Sequence, residues 1–281
     1  MAADDRGVLG GETLSAGDVS RDAWAGRSRY ALRMRDIDLP FDAGLGSDLD
    51  NPFWSALRTR HAAIALGDGE ARRYPAEYAP FLGIAHAQVA PDELAVLVAP
   101  GESVYMIGVA PERTEGFALR AYRPLAQMVR ETPLQPLAEE DDTDIVLLDE
   151  RHRDDVLALT ALVYPHYFRP RTMEMGAYYG IFREGRLAAM IGERLGTHDA
   201  TEMSAICTHP DFNGRGYARR LTTILTNRTL AAGRLPFLHV SDENTRAKAL
   251  YERMGYRRRA DVGFWSLRRE SIRGPKPESE A

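Results

Sequence analysis

Between Thr208 and Leu225 the sequence reads THPDFNGRGYARRLTTIL, with Gly214 and Gly216 bracketing Arg215 and a run of helical period starting directly after them. A strand, a glycine turn and a helix N-terminus together make an anion site, because unpaired N–H groups and the helix dipole converge on one point. The same residues also serve as a tight turn that lets strand and helix pack closely, and Gly-x-Gly alone does not separate the two readings. A dinucleotide site fits poorly. It wants the first glycine directly after the strand and a third glycine three residues after the second. Here Thr208 to Asn213 intervene, Arg219 holds the third position, and only Asp242 could imitate a ribose-binding acid. Cys207 as a covalent nucleophile has no specific His/Asp arrangement around it, and a small buried hydrophobe is its better reading. No histidine, His209 beside Pro210 included, stands at metal-ligand spacing, so no metal is expected.

The elements that must position the loop follow from apolar period and punctuation. DIVLL predicts a strand and the residues after it a helix with Val156, Leu159, Leu162 and Val163 on its apolar face, broken at Pro165. AYYGIF, the turn REG and RLAAMIGERL predict a hairpin, and TEMSAICT a further strand with a bulge near its end. The helix after the glycine loop presents Ala218, Leu221, Ile224 and Leu225 and stops at Gly233, where positive φ is wanted. PFLHV is a strand, NTRAKALYERM a short helix opened by Asn244 as N-cap and ended by Gly255, and YRRRADVGFWSLRR a closing strand or hairpin. The order βαβββαβαβ predicts an α/β fold, a mixed sheet with helices on both faces. Upstream, HAAIAL, ELAVLVA and SVYMIGVA read as strands between turns and RPLAQMVRE as a short helix.

The pair ICTHPDFNGRGYARRL and FLHVSDENTRAKALYERMGYR resembles the two central motifs of the GNAT superfamily of acetyl-CoA-dependent N-acetyltransferases, in particular the subgroup related to the C-terminal half of glycine N-acyltransferases. The likeness runs from about Thr143 to Arg269. It implies acetyl-CoA as acyl donor and a primary amine, a small molecule or amino acid, as acceptor. Ile206, Cys207 and Thr208 would offer main-chain groups to the pantetheine arm where the strand splays from its neighbour. Gly214, Arg215, Gly216, Tyr217, Ala218 and Arg219 would take the pyrophosphate, with glycine allowing close backbone approach. One departure is Asn213, where the family has Gln or Arg.

The resemblance also implies the chemistry. Tyr251 falls on the tyrosine that faces the sulfur and protonates the departing thiolate. Asn244 adds a contact to the cofactor arm. Two residues match positions of a general base, Glu202 in one branch and His239 in another. A half-buried carboxylate could have its pKa raised toward neutrality, whereas an imidazole starts there. A water relay is the third possibility. Tyr164, His166, Tyr167, Phe168 and Arg169 lie in the segment that shapes the acceptor pocket, and they offer aromatic walls and a cation suited to an amine bearing a carboxylate.

The remaining features set the frame. With 41 acidic and 36 basic residues the net charge is -5, which argues against nucleic acid or an anionic membrane as main partner. One cysteine excludes a disulfide framework and suits a reducing compartment. No signal peptide or membrane span is read, so a cytoplasmic protein is expected. The division expected is a mobile tail over 1–36, an N-terminal α/β domain over 37–137 that could be a degenerate GNAT-like copy, a GNAT-like catalytic domain over 138–272 and a mobile tail over 273–281. The acidic, proline-bearing stretch Leu134 to Asp144 reads as the linker between the domains. The rival function is a non-catalytic acyl-CoA-binding regulatory module.

Overall fold

A computed structural model describes residues 48–135, 145–163 and 165–271. The expected tails, most of the expected linker and Tyr164 lie outside these residues. The described residues fall within one compact unit.

Its strands are β1 (Ala71–Arg73), β2 (Leu82–Ile84), β3 (Ser103–Ile107), β4 (Phe117–Ala121), β5 (Leu125–Val129), β6 (Ile145–Leu148), β7 (Tyr178–Arg183), β8 (Arg186–Gly196), β9 (Ala200–Thr208), β10 (Leu235–Ser241), β11 (Arg257–Val262) and β12 (Phe264–Arg269). The helices are α1 (Pro52–Arg58), α2 (Pro91–Leu97), α3 (Arg153–Val163), α4 (Tyr217–Ala231) and α5 (Thr245–Arg253). A seven-stranded mixed sheet runs in the order β11-β5-β10-β9-β8-β7-β6, as the α/β reading requires. Its one parallel pair, β9 with β10, is in register only at Ala200 to Glu202 against Leu235 to Phe237. Beyond Glu202 the two strands part, and the edge of β9 that faces β10 has no strand partner among the described residues.

From residue 145 onward the elements stand where the period predicts them, and Gly233 and Gly255 end α4 and α5 at φ +71° and +77°. Two helix faces differ in detail. In α3 only Val156, Leu159 and Thr160 are buried, while Leu162 and Val163 are exposed. On α4 the inward face carries Thr222, Thr223, Thr226 and Thr229 beside Leu221 and Leu225. The Thr223 and Thr226 hydroxyls bond back to the helix, to Arg219 O at 3.0 Å and Thr222 O at 2.6 Å, while those of Thr222 and Thr229 are buried without a partner among the described residues.

The N-terminal segment departs more. ELAVLVA is largely helix α2: Pro91 stands in its first turn with Asp92 and Glu93, a start that complements the dipole. HAAIAL holds a 3₁₀ turn over Ala62–Ile64 and a single β-bridge from Leu66 to Arg73 in place of a strand. RPLAQMVRE contains β5 rather than a helix. Its Leu, Ala, Gln and Met are good helix formers, but Ala126, Gln127, Met128 and Val129 are all buried because the strand is inserted between β10 and β11, covered on both faces.

The boundary expected at 137/138 is therefore crossed by the main sheet. The crossing is reciprocal: β12, from the C-terminal end, lies between β3 and β4 in a three-stranded sheet. Gly263 separates β11 from β12, which pair with different sheets and not with each other. Leu134, at the start of the expected linker, is clamped to α4 by two bonds with the Asn227 amide at 2.8 and 2.9 Å.

Candidate active site

The glycine loop closes β9 onto α4. Gly214 and Gly216 adopt φ of +81° and +78°, the left-handed region that an L side chain enters only at a cost of about 1–2 kcal/mol. A Cβ at either glycine would meet nothing within 4 Å, so backbone conformation, and not crowding by the protein, asks for glycine here. The open space has donors around it. Asn213 N bonds Pro210 O and Arg220 N bonds Gly216 O, while the N–H groups from Gly214 to Arg219 take no acceptor among the described residues. This is a cradle at the N-terminus of a 15-residue helix, and it fits a phosphate-bearing group. Asn213 is exposed at its edge.

Between the parted strands lies a cavity of about 580 Å³. Ser204 to Cys207 line one side, Leu238 to Ser241 the other, and Asn244, Ala247 and Tyr251 of the α5 region a third. The bulge expected near the end of β9 is present. Ala205 has φ +51°, and the pairing with β8 slips between Gly192↔Ser204 and Met190↔Cys207. A non-glycine residue in that conformation is strained, and here the strain bends β9 at the point where it leaves β10.

The three residues expected to carry the chemistry, Glu202, His239 and Tyr251, all line this cavity. Glu202, 1% exposed, accepts from Arg194 Nε and Nη2 at 2.8 and 2.7 Å, and its Oε1 lies 2.7 Å from His239 Nδ1. The carboxylate can only accept, so Nδ1 of His239 carries the proton and Nε2 presents a lone pair. That lone pair faces Gln127 Nε2 at 3.0 Å. Gln127 is held in this orientation because Nε2 also donates to Leu49 O at 2.8 Å while Oε1 accepts from Arg259 at 2.8 Å. The Arg259 guanidinium then reaches Asp50 at 2.7 Å.

The network alters both expected bases. Burial pushes the Glu202 carboxyl up, but the Arg194 charge and hydrogen bonds, with His239, outweigh it and hold the group at about 2. The expected rise toward neutrality is reversed. His239, its side chain 2% exposed, has both ring nitrogens engaged. Gln127 was not foreseen. Its buried amide between β10 and β11 leaves no motif in the sequence, and the one available signal was a polar residue inside the apolar run LAQMV.

Tyr251 is 6% exposed, lines the cavity and packs its ring 6.0 Å from that of Tyr256. Burial pushes its phenol well above the usual tyrosine range, so it holds its proton at neutral pH. Asn244 caps α5 by accepting from Ala247 N at 3.1 Å. Cys207 is buried among Leu148, Val156, Leu159, Tyr178, Leu187 and Met190, and burial pushes its thiol up to about 12. A thiol so held is a packing group. Among the described residues no cluster of three or more His, Cys, Asp or Glu could hold a metal, and no helix is long and apolar enough to cross a membrane.

The acceptor segment is only partly as expected. Tyr167 lines the cavity. Phe168 instead packs edge-on against Tyr178 at 5.9 Å, His166 is exposed, and Arg169 donates to the carbonyls of His166 and Phe168 at 3.2 and 3.1 Å. Most of the aromatic wall comes from elsewhere: Phe53, Phe81 and Tyr122 of the N-terminal segment and Phe264 at the start of β12. Strand exchange brings these residues to the cavity.

Residues 178–266, from β7 into β12, match the family described as FR47-like protein. A solved structure from Novosphingobium aromaticivorans, described as an acetyltransferase from the GNAT family, is 32% identical, with 80% of this chain and 99% of that one covered and a TM-score of 0.70. A GCN5-related N-acetyltransferase from Kribbella flavida shares the fold at 17% identity, with 84% and 97% covered and a TM-score of 0.50. No curated protein matches the sequence.

Proposed function

The chain belongs to the GNAT family, and from that premise we propose that it is an acetyl-CoA-dependent N-acetyltransferase acting on a small primary amine by direct transfer. The observation that carries the reading is the unpaired amide cradle from Gly214 to Arg219, open above both glycines and next to the unpartnered edge of β9.

When bound, acetyl-CoA supplies the activated thioester. Gly214 to Arg219 hold its pyrophosphate through main-chain donors, and the free edge of β9 at Ile206 to Thr208 pairs with the pantetheine arm as an added strand would. Asn244 keeps its cap and lines the arm's path. The acceptor amine attacks the thioester carbonyl directly, and no side chain carries the acetyl group, since Cys207 is packed away. Tyr251 keeps a proton at its hydroxyl for the departing sulfur. Glu202 acts as a positioning residue: it fixes the tautomer of His239, and Gln127 fixes the ring from the other side. The amine's proton passes to water in the cavity.

Thiol release from acetyl-CoA with a panel of amines tests the reading, and Tyr251→Phe tests the acid. The variant is expected to lower kcat about 100-fold with the KM for acetyl-CoA unchanged. An unchanged kcat removes Tyr251 from the chemistry. Tight acetyl-CoA binding without turnover on any amine points instead to a non-catalytic binding module, a reading that the engaged nitrogens of His239 favour.

A further inference from the structure

Beyond the cofactor side, the cavity is walled by Phe81, Ile107, Tyr122, Leu125, Tyr167 and Phe264. Its rings are fixed against each other. Tyr122 and Phe264 stand 5.0 Å apart, Phe81 and Tyr167 6.1 Å, and Tyr167 meets Phe264 nearly edge-on at 6.4 Å. Such a frame is prepared for a flat apolar group, which it can contact by ring face and ring edge at little ordering cost.

Among the described residues the buried cation at the same cavity is already committed. Arg194 is bonded to Glu202 at 2.7 and 2.8 Å and lies 5.1 Å over the Phe81 ring. Arg123 lies 3.6 Å from Glu243 with both side chains more than two-thirds exposed, so its charge is screened by water. Arg169, the cation expected to receive a carboxylate, does not line the cavity and is turned onto the carbonyls of its own loop. An acidic group on the acceptor would lose its water to a wall of rings and a guanidinium already neutralised by Glu202.

We infer that the acceptor carries its amine on an aromatic or comparably apolar body with no acidic group. The inference rests on the acetyltransferase reading above and names its substrate class. It departs from the carboxylate-bearing amine that the sequence suggested.

The test uses the full chain, acetyl-CoA and thiol release with 2-phenylethylamine, hexylamine, phenylalanine, glycine, lysine, spermidine and a short peptide. Phenylalanine differs from 2-phenylethylamine by its carboxylate alone, so that pair isolates the acid. The expected kcat/KM for 2-phenylethylamine is at least 10-fold above that for phenylalanine and above those for lysine and spermidine. Tyr167→Ala is expected to raise the KM for 2-phenylethylamine at least 10-fold with the KM for acetyl-CoA unchanged. Tyr122→Leu, which keeps apolar bulk, gives a second reading of the wall by the same KM shift. Preference for phenylalanine, glycine, lysine, spermidine or the peptide overturns the inference and leaves acetyl transfer standing. Acetyl-CoA binding with no thiol release from any amine overturns both.

Discussion

Glu202→Gln separates a positioning carboxylate from a general base. The substitution keeps the shape and leaves an oxygen that can still accept from His239, but it removes the charge that Arg194 pairs with at 2.7 Å. The Arg194 and Glu202 side chains are 11% and 1% exposed, so the remaining guanidinium sits largely out of water without its counter-charge. Breaking a buried pair from one side costs about 3–5 kcal/mol. For a chain of this size each kcal/mol moves Tm by about 2–4 °C, so a loss of about 10 °C is expected in a thermal melt. The loss also has a pH signature. A carboxyl held at about 2 against an ordinary 4.5 contributes its full stabilisation above about pH 4.5 and loses it as pH falls toward 2. The Tm gap between wild type and variant therefore narrows through that window. In the pH–rate profile the acidic limb of kcat/KM stays where it is, and kcat/KM falls about 10-fold or less. A variant that melts like wild type yet loses 10²-fold or more in kcat/KM together with its acidic limb would refute the argument and make Glu202 the base.

Gly216→Val keeps the fold at a cost of about 1–2 kcal/mol for the left-handed φ, since its Cβ meets no protein atom, but fills the space over the amides. Acetyl-CoA affinity by calorimetry should fall at least 100-fold while the apo melt shifts only a few degrees; retained affinity removes the cradle. Cys207→Ala trims one buried sulfur from the cluster under α3 and should leave kcat within about twofold with a small drop in Tm. Loss of all turnover in a folded Cys207→Ala protein would restore the acyl-cysteine route.

The acceptor wall and the catalytic elements were legible to different degrees. TEMSAICT, the glycine loop, α4, β10 and α5 follow each other closely, and each carries its own signal: apolar period, a glycine where φ is positive, an asparagine at the cap. Interactions within a few residues decide such features, so the chain text alone foretold the glycine turn and the bulge. The fold was thus readable from Ile145 to Arg269.

The N-terminal segment was misread for a physical reason. RPLAQMVRE has the composition of a helix, and only the presence of β10 on one side and β11 on the other makes it a doubly covered strand. ELAVLVA is too short an apolar run for period to choose between helix and strand, and Pro91 at its start was the better guide. The boundary expected from the stretch Leu134 to Asp144 took no account of β5 and β12, which each pair with strands from the other side of it.

The sequence by itself marked a glycine turn at a helix N-terminus, because that depends on backbone conformation and spacing over short distances, while Tyr251 was singled out only by the family resemblance. Tertiary structure alone decided the state of the groups in between. Arg194, Glu202, His239, Gln127 and Arg259 come from five strands, and ionisation and tautomer follow from partners up to 132 residues apart. Electrostatic work in a buried site is set by distances of 2.7 to 3.0 Å between such groups, and no reading of neighbours along the chain contains those distances.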